Sequence, residues 1–305
     1  MDTNASDARQ RVLAEILGCA REMTRGKHPI DLKVFLGQYY RDIPLDDLRA
    51  REPSDLAGAA LGHLEFAMDR RLGKSTARVF NPNPDEDGWD SAHTIVEAVN
   101  DDMPFLVDSL GMVINSRDLY IHLTVHPVLY VRRDKKGHLL EVLPEGTKAE
   151  DAVAESFVHL EIDREADATT FRHLRKKILS SVGDVRLACQ DWAAMRAKAL
   201  EICEQLRSDP PPLSAEIVDE GRALLEWMED DHFTFLGYRE YELVKGDDHD
   251  TLKVRPDSGL GILRQPSIGG TGSTVVARGI RRQARSRELV VITKANSRST
   301  VHRPT

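Results

Sequence analysis

Cysteine is nearly missing from this 305-residue chain. Cys19, Cys189 and Cys203 are odd in number, far apart and in no C-x-x-C arrangement. That excludes a disulfide framework and a cysteine zinc site, and it suits reduced thiols. No apolar run approaches the roughly 18 residues of a membrane-spanning helix, and the opening MDTNASDARQ lacks a charged-then-apolar signal layout. Positive charge is in deficit too: 42 basic against 50 acidic residues give a net charge of -8. This balance argues against wholesale binding to nucleic acid or to an anionic membrane.

Catalytic signatures are equally scarce. HExxH and GxSxG do not occur, and no Cys/His pair stands at a recognisable spacing. Gly259 and Gly261 lack the third glycine of GxGxxG, and Gly269, Gly270 and Gly272 are not followed by a Lys-Ser/Thr pair. The expectation is a cytoplasmic, soluble protein with no catalytic residues, no metal site and no cofactor-binding site in this chain.

What is present is an ordinary globular composition, 41% hydrophobic and 30% charged, in a length that suits two or three domains. Helical periodicity fills the first 75 residues. Leu13, Ile16, Leu17 and Ala20 form one stripe, Leu32, Phe35, Leu36, Tyr39 and Tyr40 a second, and Leu56, Ala60, His63, Leu64 and Ala67 a third. Pro29, Pro44 and Pro53 punctuate them, which predicts three helices. The loop NPNPDEDGW (81–89), with two prolines and a glycine, marks a boundary.

Beyond residue 91 strands alternate with helices. HTIVEAVN has strand composition, LYIHLTVHPVLYVRR alternates in polarity, and HLLEVL can pair back on it across Lys135-Lys136-Gly137. ESFVHLEID sets Val158, Leu160 and Ile162 against Phe157, His159 and Glu161. Apolar stripes predict one helix from Pro104 to about Ser116 and another from Thr169, continuing long or broken to Leu206 and ended by Pro210-Pro211-Pro212. A helix opened by Ser214 follows. HFTFLGYREYEL and TLKVRP read as strands joined by KGDDHD, and RELVVITK as a further buried strand. The whole is α+β: helical residues 1–80, an α+β domain at 81–210 with a long C-terminal helix, and an incomplete second α+β unit at 211–305.

Four clusters invite a chemical reading. Asp101, Asp102 and Asp108 surround Pro104 in NDDMPFLVDS. Proline in a first helical turn with aspartates before it is the signature of helix initiation, yet a strand followed by a helix N-terminus also receives anions. Both readings stand. His122 and His126 share a strand face but lie about 13 Å apart at about 3.3 Å per residue, too far to hold one ion. His232 behind Asp230-Asp231 reads as a solvated helix end. Arg278, Arg281, Arg282, Arg285 and Arg287 could form an anion patch, but no aromatic residues interleave with them, so this run and the glycine stretches read as a solvated, mobile loop.

Several long strings look familiar. RVFNPNPDEDGWDSAHTIVEAVNDDMPFLVDSL (78–110), HFTFLGYREYEL (232–243), SGLGILR and VVITKANSRSTVHRP (290–304) resemble the N-terminal region of the large bacterial NAD-dependent glutamate dehydrogenases. The resemblance implies a parent enzyme that deaminates L-glutamate to 2-oxoglutarate and ammonium with NAD as cofactor. It also implies that this region carries ACT-like, ferredoxin-type regulatory modules in place of the dehydrogenase machinery, with an antiparallel sheet and helices on one face. Partners would be a small amino-acid or organic-acid effector, the downstream dehydrogenase domain and further copies of the chain. A scaffold without a ligand is the alternative.

VEAVNDDMPFLVDSL is similar to the ACT pattern of strand, acidic loop and a Pro-Gly pair opening a helix. Carried onto this chain, the effector positions are Asn100, Asp101, Asp102, Met103 and Pro104, with Phe105 where the pattern has glycine. A strand after the second helix is missing from the βαββαβ order. Either the HLLEVL hairpin replaces it or VRLACQ is that strand.

Overall fold

The computed structural model describes residues 3–147, 149–264, 273–276, 281, 285–286 and 288–292. The chain divides into two compact units, Met1–Val182 and Gly183–Thr305. The first opens with α1 (Thr3–Met23), α2 (Leu32–Tyr39), α3 (Leu45–Arg49) and α4 (Pro53–Ala67), four helices where proline punctuation predicted three. The extra one is a short segment entered from Pro44. Asp31 caps α2 by accepting from the amides of Lys33 and Val34, and Pro53 occupies the first turn of α4, where its missing N–H is not needed. The Arg9 guanidinium of α1 donates to the carbonyls of Tyr40, Arg41 and Ile43, which binds the end of α2 to α1.

The sheet contains β1 (Thr76–Phe80), β2 (Thr94–Asp101), β3 (Ile121–Val125), β4 (Val128–Arg133), β5 (Leu139–Val142) and β6 (Val153–Ile162). A single turn, α5 (Pro84–Asp87), separates β1 from β2, and α6 (Leu106–Asn115) separates β2 from β3. The strand order is β1-β2-β6-β4-β5, with β3 also on β6. LYIHLTVHPVLYVRR is therefore one run broken at His126-Pro127, each half pairing with β6. Proline has no N–H for a ladder. The β4–β5 hairpin forms as its sequence predicts.

VRLACQ is helical, within α7 (Ala168–Gln190). The strand missing from the end of the βαββαβ order is supplied from the front instead: TARVF, unremarkable in sequence, forms β1 and pairs antiparallel with β2. It covers the edge of β2 that would otherwise be open.

Alternation sends Val99, Leu123, Val125 and Phe157 into one core with Ile16, Phe35, Leu36, Tyr39, Leu64 and other buried residues of α1–α4. The N-terminal helices thus cover a sheet face in addition to the helices that the ACT pattern provides. Outside that cluster, Val96, Ala98, Val158 and Leu160 alternate to the opposite face, and Leu110, Ile114, Leu174 and Ile178 of α6 and α7 are buried with them.

The second unit contains α8 (Trp192–Ser208), α9 (Ala215–Trp227) and the short strands β7 (Gly237–Tyr238), β8 (Tyr241–Val244), β9 (Thr251–Val254), β10 (Leu260–Gly261) and β11 (Ser273–Val275). The long helix predicted to reach Leu206 breaks at Asp191, a buried residue whose carboxylate accepts from the Gly261 amide at 2.7 Å and from Arg264. β8 and β9 pair across KGDDHD as expected. HFTFLGYREYEL is strand only in part, and SGLGILR contributes β10, paired with β7, where the sequence suggested loop.

RELVVITK is corrected as well. Its described residues form no strand, and Val290, Val291 and Ile292 are exposed. Two of the five clustered arginines are held by a partner: Arg281 and Arg285 pair with buried Asp250 at 3.2 and 2.6 Å. Arg278, Arg282, Arg287 and Gly269, Gly270 and Gly272 lie outside the described residues.

Candidate functional site

The acidic loop begins while β2 is still paired. Asn100 and Asp101 face Ser156 and Glu155 across the ladder, and the Asp102 amide donates to the Ala154 carbonyl at 2.9 Å. Asn100 is buried, accepts from Ser75 Oγ and donates to the Asp101 carbonyl. Asp101 pairs with Arg70 at 2.8 Å, and Arg70 also pairs with Glu155 at 2.5 Å. Arg133 grips the same Glu155 through Nε and NH2. Arg70, Arg133 and Glu155 have no exposed side-chain surface.

Helix α6 does not start at Pro104. Pro104 and Phe105 form a turn, and Leu106 is the first helical residue. Phe105 holds φ 68 and ψ 5, the left-handed conformation that favours glycine. Phenylalanine here adopts a backbone conformation that glycine takes up without strain. Asp102 and Asp108 are exposed, and both act on the half-buried His126, whose ring contacts Ser156 Oγ. Burial pushes the His126 pKa down against the pull of those carboxylates.

A second polar group lies between α4 and the sheet. Glu97 of β2 and His159 of β6 are cross-strand partners, so their side chains share a face, and His63 of α4 meets them from above. One ligand-type atom from each of these three buried residues falls within 4.8 Å of the others. His159 Nδ1 is 3.2 Å from Glu97 Oε1, while Arg78 Nε donates to Glu97 Oε2 at 2.6 Å. His63 Nδ1 is 2.8 Å from the Tyr39 hydroxyl, and its Nε2 is buried with no hydrogen-bond partner. Trp89 and Phe157 pack against the imidazoles.

Electrostatics follow from this burial. Desolvation pushes His63 down to about 4, overcoming the attraction of Glu97. Burial alone would raise Glu97, but His63, His159 and Arg78 outweigh it and bring the carboxyl down to about 2. At neutral pH the group therefore combines an anionic carboxylate, a guanidinium and a neutral His63. His159 also lines a cavity of about 550 Å³ together with Arg51, Asp55, His93 and Glu161. Within it Arg51 and His93 both reach Glu161, at 2.8 and 3.3 Å.

Residues 35–178 match the profile of the "Glutamate dehydrogenase, ACT1 domain" family. That span holds the whole six-stranded sheet with its acidic loop. These residues are similar to a glutamate dehydrogenase ACT1 domain. The chain is also similar to the NAD-specific glutamate dehydrogenase of Pseudomonas aeruginosa, 40% identical over 231 residues, which are 76% of this chain and 14% of that relative. The enzyme of Halomonas elongata is 35% identical over 237 residues, 77% of this chain and 15% of the relative. That of Mycobacterium tuberculosis is 24% identical over 250 residues. The chain therefore spans only 14 to 15% of the length of these relatives.

Within the matched span, the aspartates suggested as a ligand group separate: Asp101 turns to Arg70, while Asp102 and Asp108 remain exposed. His122 and His126 have separate partners, Asp163 and Ser156. The His63–Glu97–His159 group escaped the sequence reading because its members lie on three elements with no fixed spacing. One signal was available: each is a polar residue at a position that the apolar periodicity assigns to a buried face. No helix among the described residues is long and apolar enough to cross a membrane.

Proposed function

We propose that this chain is the N-terminal regulatory region of an NAD-specific glutamate dehydrogenase, with the ACT1 domain sensing a small amino acid or organic acid. On this reading the parent enzyme transfers hydride from L-glutamate to NAD and releases 2-oxoglutarate and ammonium, in the cytoplasm. The chemistry belongs to a dehydrogenase domain elsewhere in the same polypeptide, and copies of the chain associate.

The observation that carries the reading is the ACT1 match over the sheet, together with an acidic loop whose residue 105 keeps a glycine-type backbone. Asn100 through Pro104 is the proposed effector position. Asp102 and Pro104 are the exposed members, whereas Asn100 and Asp101 are held by Ser75 and Arg70. An effector there that favours one arrangement of the parent enzyme would exert a coupling of about 1 to 3 kcal/mol, a five- to hundredfold change in affinity.

A thermal-shift screen against the common amino acids, citrate, 2-oxoglutarate and NAD tests this. A ligand at about 100 times its Kd adds about 2.7 kcal/mol and raises the midpoint by several degrees. The expected result is a shift with one amino or organic acid and none with NAD, lost in Asp102→Ala. A flat panel, with a mass in solution that rises with concentration, would replace the sensor by a scaffold.

A further inference from the structure

We propose that His63, Glu97 and His159 form a binding site for one divalent transition-metal ion of the zinc class, seated between α4 and the β2–β6 pair. This site is independent of the effector loop and stands on different residues.

The donor set comes first. Two imidazoles and one carboxylate are the ligands that zinc and its first-row neighbours take up, and three protein ligands leave a position for water. The donor atoms fall within 4.8 Å of one another. Around a tetrahedral ion they would stand roughly 3.4 Å apart, so side-chain adjustment alone closes the site.

The unsatisfied atom comes second. A buried nitrogen without a well-formed hydrogen bond is destabilising, and His63 Nε2 is such an atom, the Ala98 backbone being the one further hydrogen-bonding group that acts on this imidazole. The other ring nitrogen is occupied by the Tyr39 hydroxyl at 2.8 Å. When that nitrogen carries the proton and donates it to Tyr39, the Nε2 lone pair is left for an ion, the arrangement in which metal-ligating histidines are commonly oriented. Arg78 performs the matching task at Glu97: it engages Oε2 and leaves Oε1 toward His159 Nδ1, 3.2 Å away. An ion bound there replaces one weak hydrogen bond and satisfies the orphaned nitrogen.

The route comes third. His159 lines the 550 Å³ cavity, whose other charged residues include Glu52, Asp55, Asp90 and Glu161 against Arg51. Four carboxylates facing one guanidinium draw a cation inward, and the cavity supplies the water for the remaining position. Tyr39, Trp89 and Phe157 shield the other sides.

The test is a titration of the chelator-treated chain with ZnCl2 by calorimetry and with CoCl2 by visible absorption. We expect one ion per chain, with the intense d–d bands of a low-coordinate cobalt site. Glu97→Gln and His159→Gln should weaken binding by more than about a hundredfold, and Tyr39→Phe by about ten- to a hundredfold through loss of orientation. His122→Ala, outside the cluster, should bind as the unaltered chain does. Should the buried variants not fold, zinc-edge absorption of the unaltered chain decides: two imidazoles in the coordination shell support the site. Failure of the unaltered chain to take up zinc or cobalt overturns the proposal, as does binding unaffected by Glu97→Gln and His159→Gln in folded protein.

Discussion

Glu155 is the carboxylate on which two buried guanidiniums depend. Arg70 reaches it at 2.5 Å, and Arg133 holds both its oxygens at 2.6 and 2.7 Å. None of the three side chains is exposed. Glu155→Leu keeps the volume and removes the charge, which leaves Arg133 without its carboxylate and Arg70 with Asp101 alone. Breaking a buried ion pair from one side destabilises by about 3 to 5 kcal/mol. For a unit of this size that lowers Tm by roughly 6 to 20 °C.

Asp101→Asn should lose less, since Asp101 is partly exposed and Arg70 keeps its contact with Glu155. The combined Arg70→Met, Arg133→Met, Glu155→Leu variant should recover most of the loss, because an apolar replacement of a whole buried network is often neutral. Urea unfolding followed by circular dichroism measures all three. A loss below 1 kcal/mol in Glu155→Leu, or a triple variant worse than the single, would refute the argument. It also follows that Asp101 variants cannot report on effector binding until their stability has been matched.

The remaining predictions concern the neighbourhood of the buried histidines. A Cβ at Gly58 would lie 2.5 Å from Trp89 Cβ and 2.7 Å from Cγ, so Gly58→Ala should displace the indole and lose about 1 to 3 kcal/mol through overpacking. Tryptophan fluorescence shifted to the red checks it, and an unchanged spectrum with unchanged Tm contradicts it. In the metal-free chain, acid should act in two windows. His63 titrates near 4 folded and 6.5 unfolded, so between those values the unfolded state binds more protons and stability is lost as the pH is lowered, by about 3 kcal/mol in all. Glu97, near 2 folded and 4.5 unfolded, adds a second loss over that lower range. Urea midpoints at pH 7, 5.5 and 4 measure the first window, and a flat profile that His63→Gln does not alter would remove its assigned cause.

The parts of the fold that were legible in sequence are those with a strong period and a local turn: the three main N-terminal stripes, the β4–β5 hairpin, the β6 strand and the β2–loop–α6 junction. β1 was not, because TARVF is short, lies between polar loops and becomes a strand only through its pairing with β2. The helix after β2 starts two residues later than proline suggests, since Phe105 first takes a left-handed conformation that no local propensity favours. RELVVITK has strand composition, yet its described residues pair with nothing. Composition favours a strand only where a partner exists. Of the candidate site, the loop could be found by pattern, but the histidine cluster depends on contacts across 34 and 62 positions of sequence. Only the packing of a helix on a sheet brings those positions together.

The central strand pair has a consequence for how the sheet finds its alignment. β2 and β6 would tolerate a two-residue slide on apolar grounds, because such a shift keeps every side chain on its own face. The polar residues forbid it. Sliding one way sets Glu97 opposite Glu161, two carboxylates on one buried face, and sliding the other way sets it opposite Phe157, where no proton donor awaits it. Only the observed alignment brings Glu97 to His159, so the buried charges act as a selection rule that discards misaligned ladders during folding.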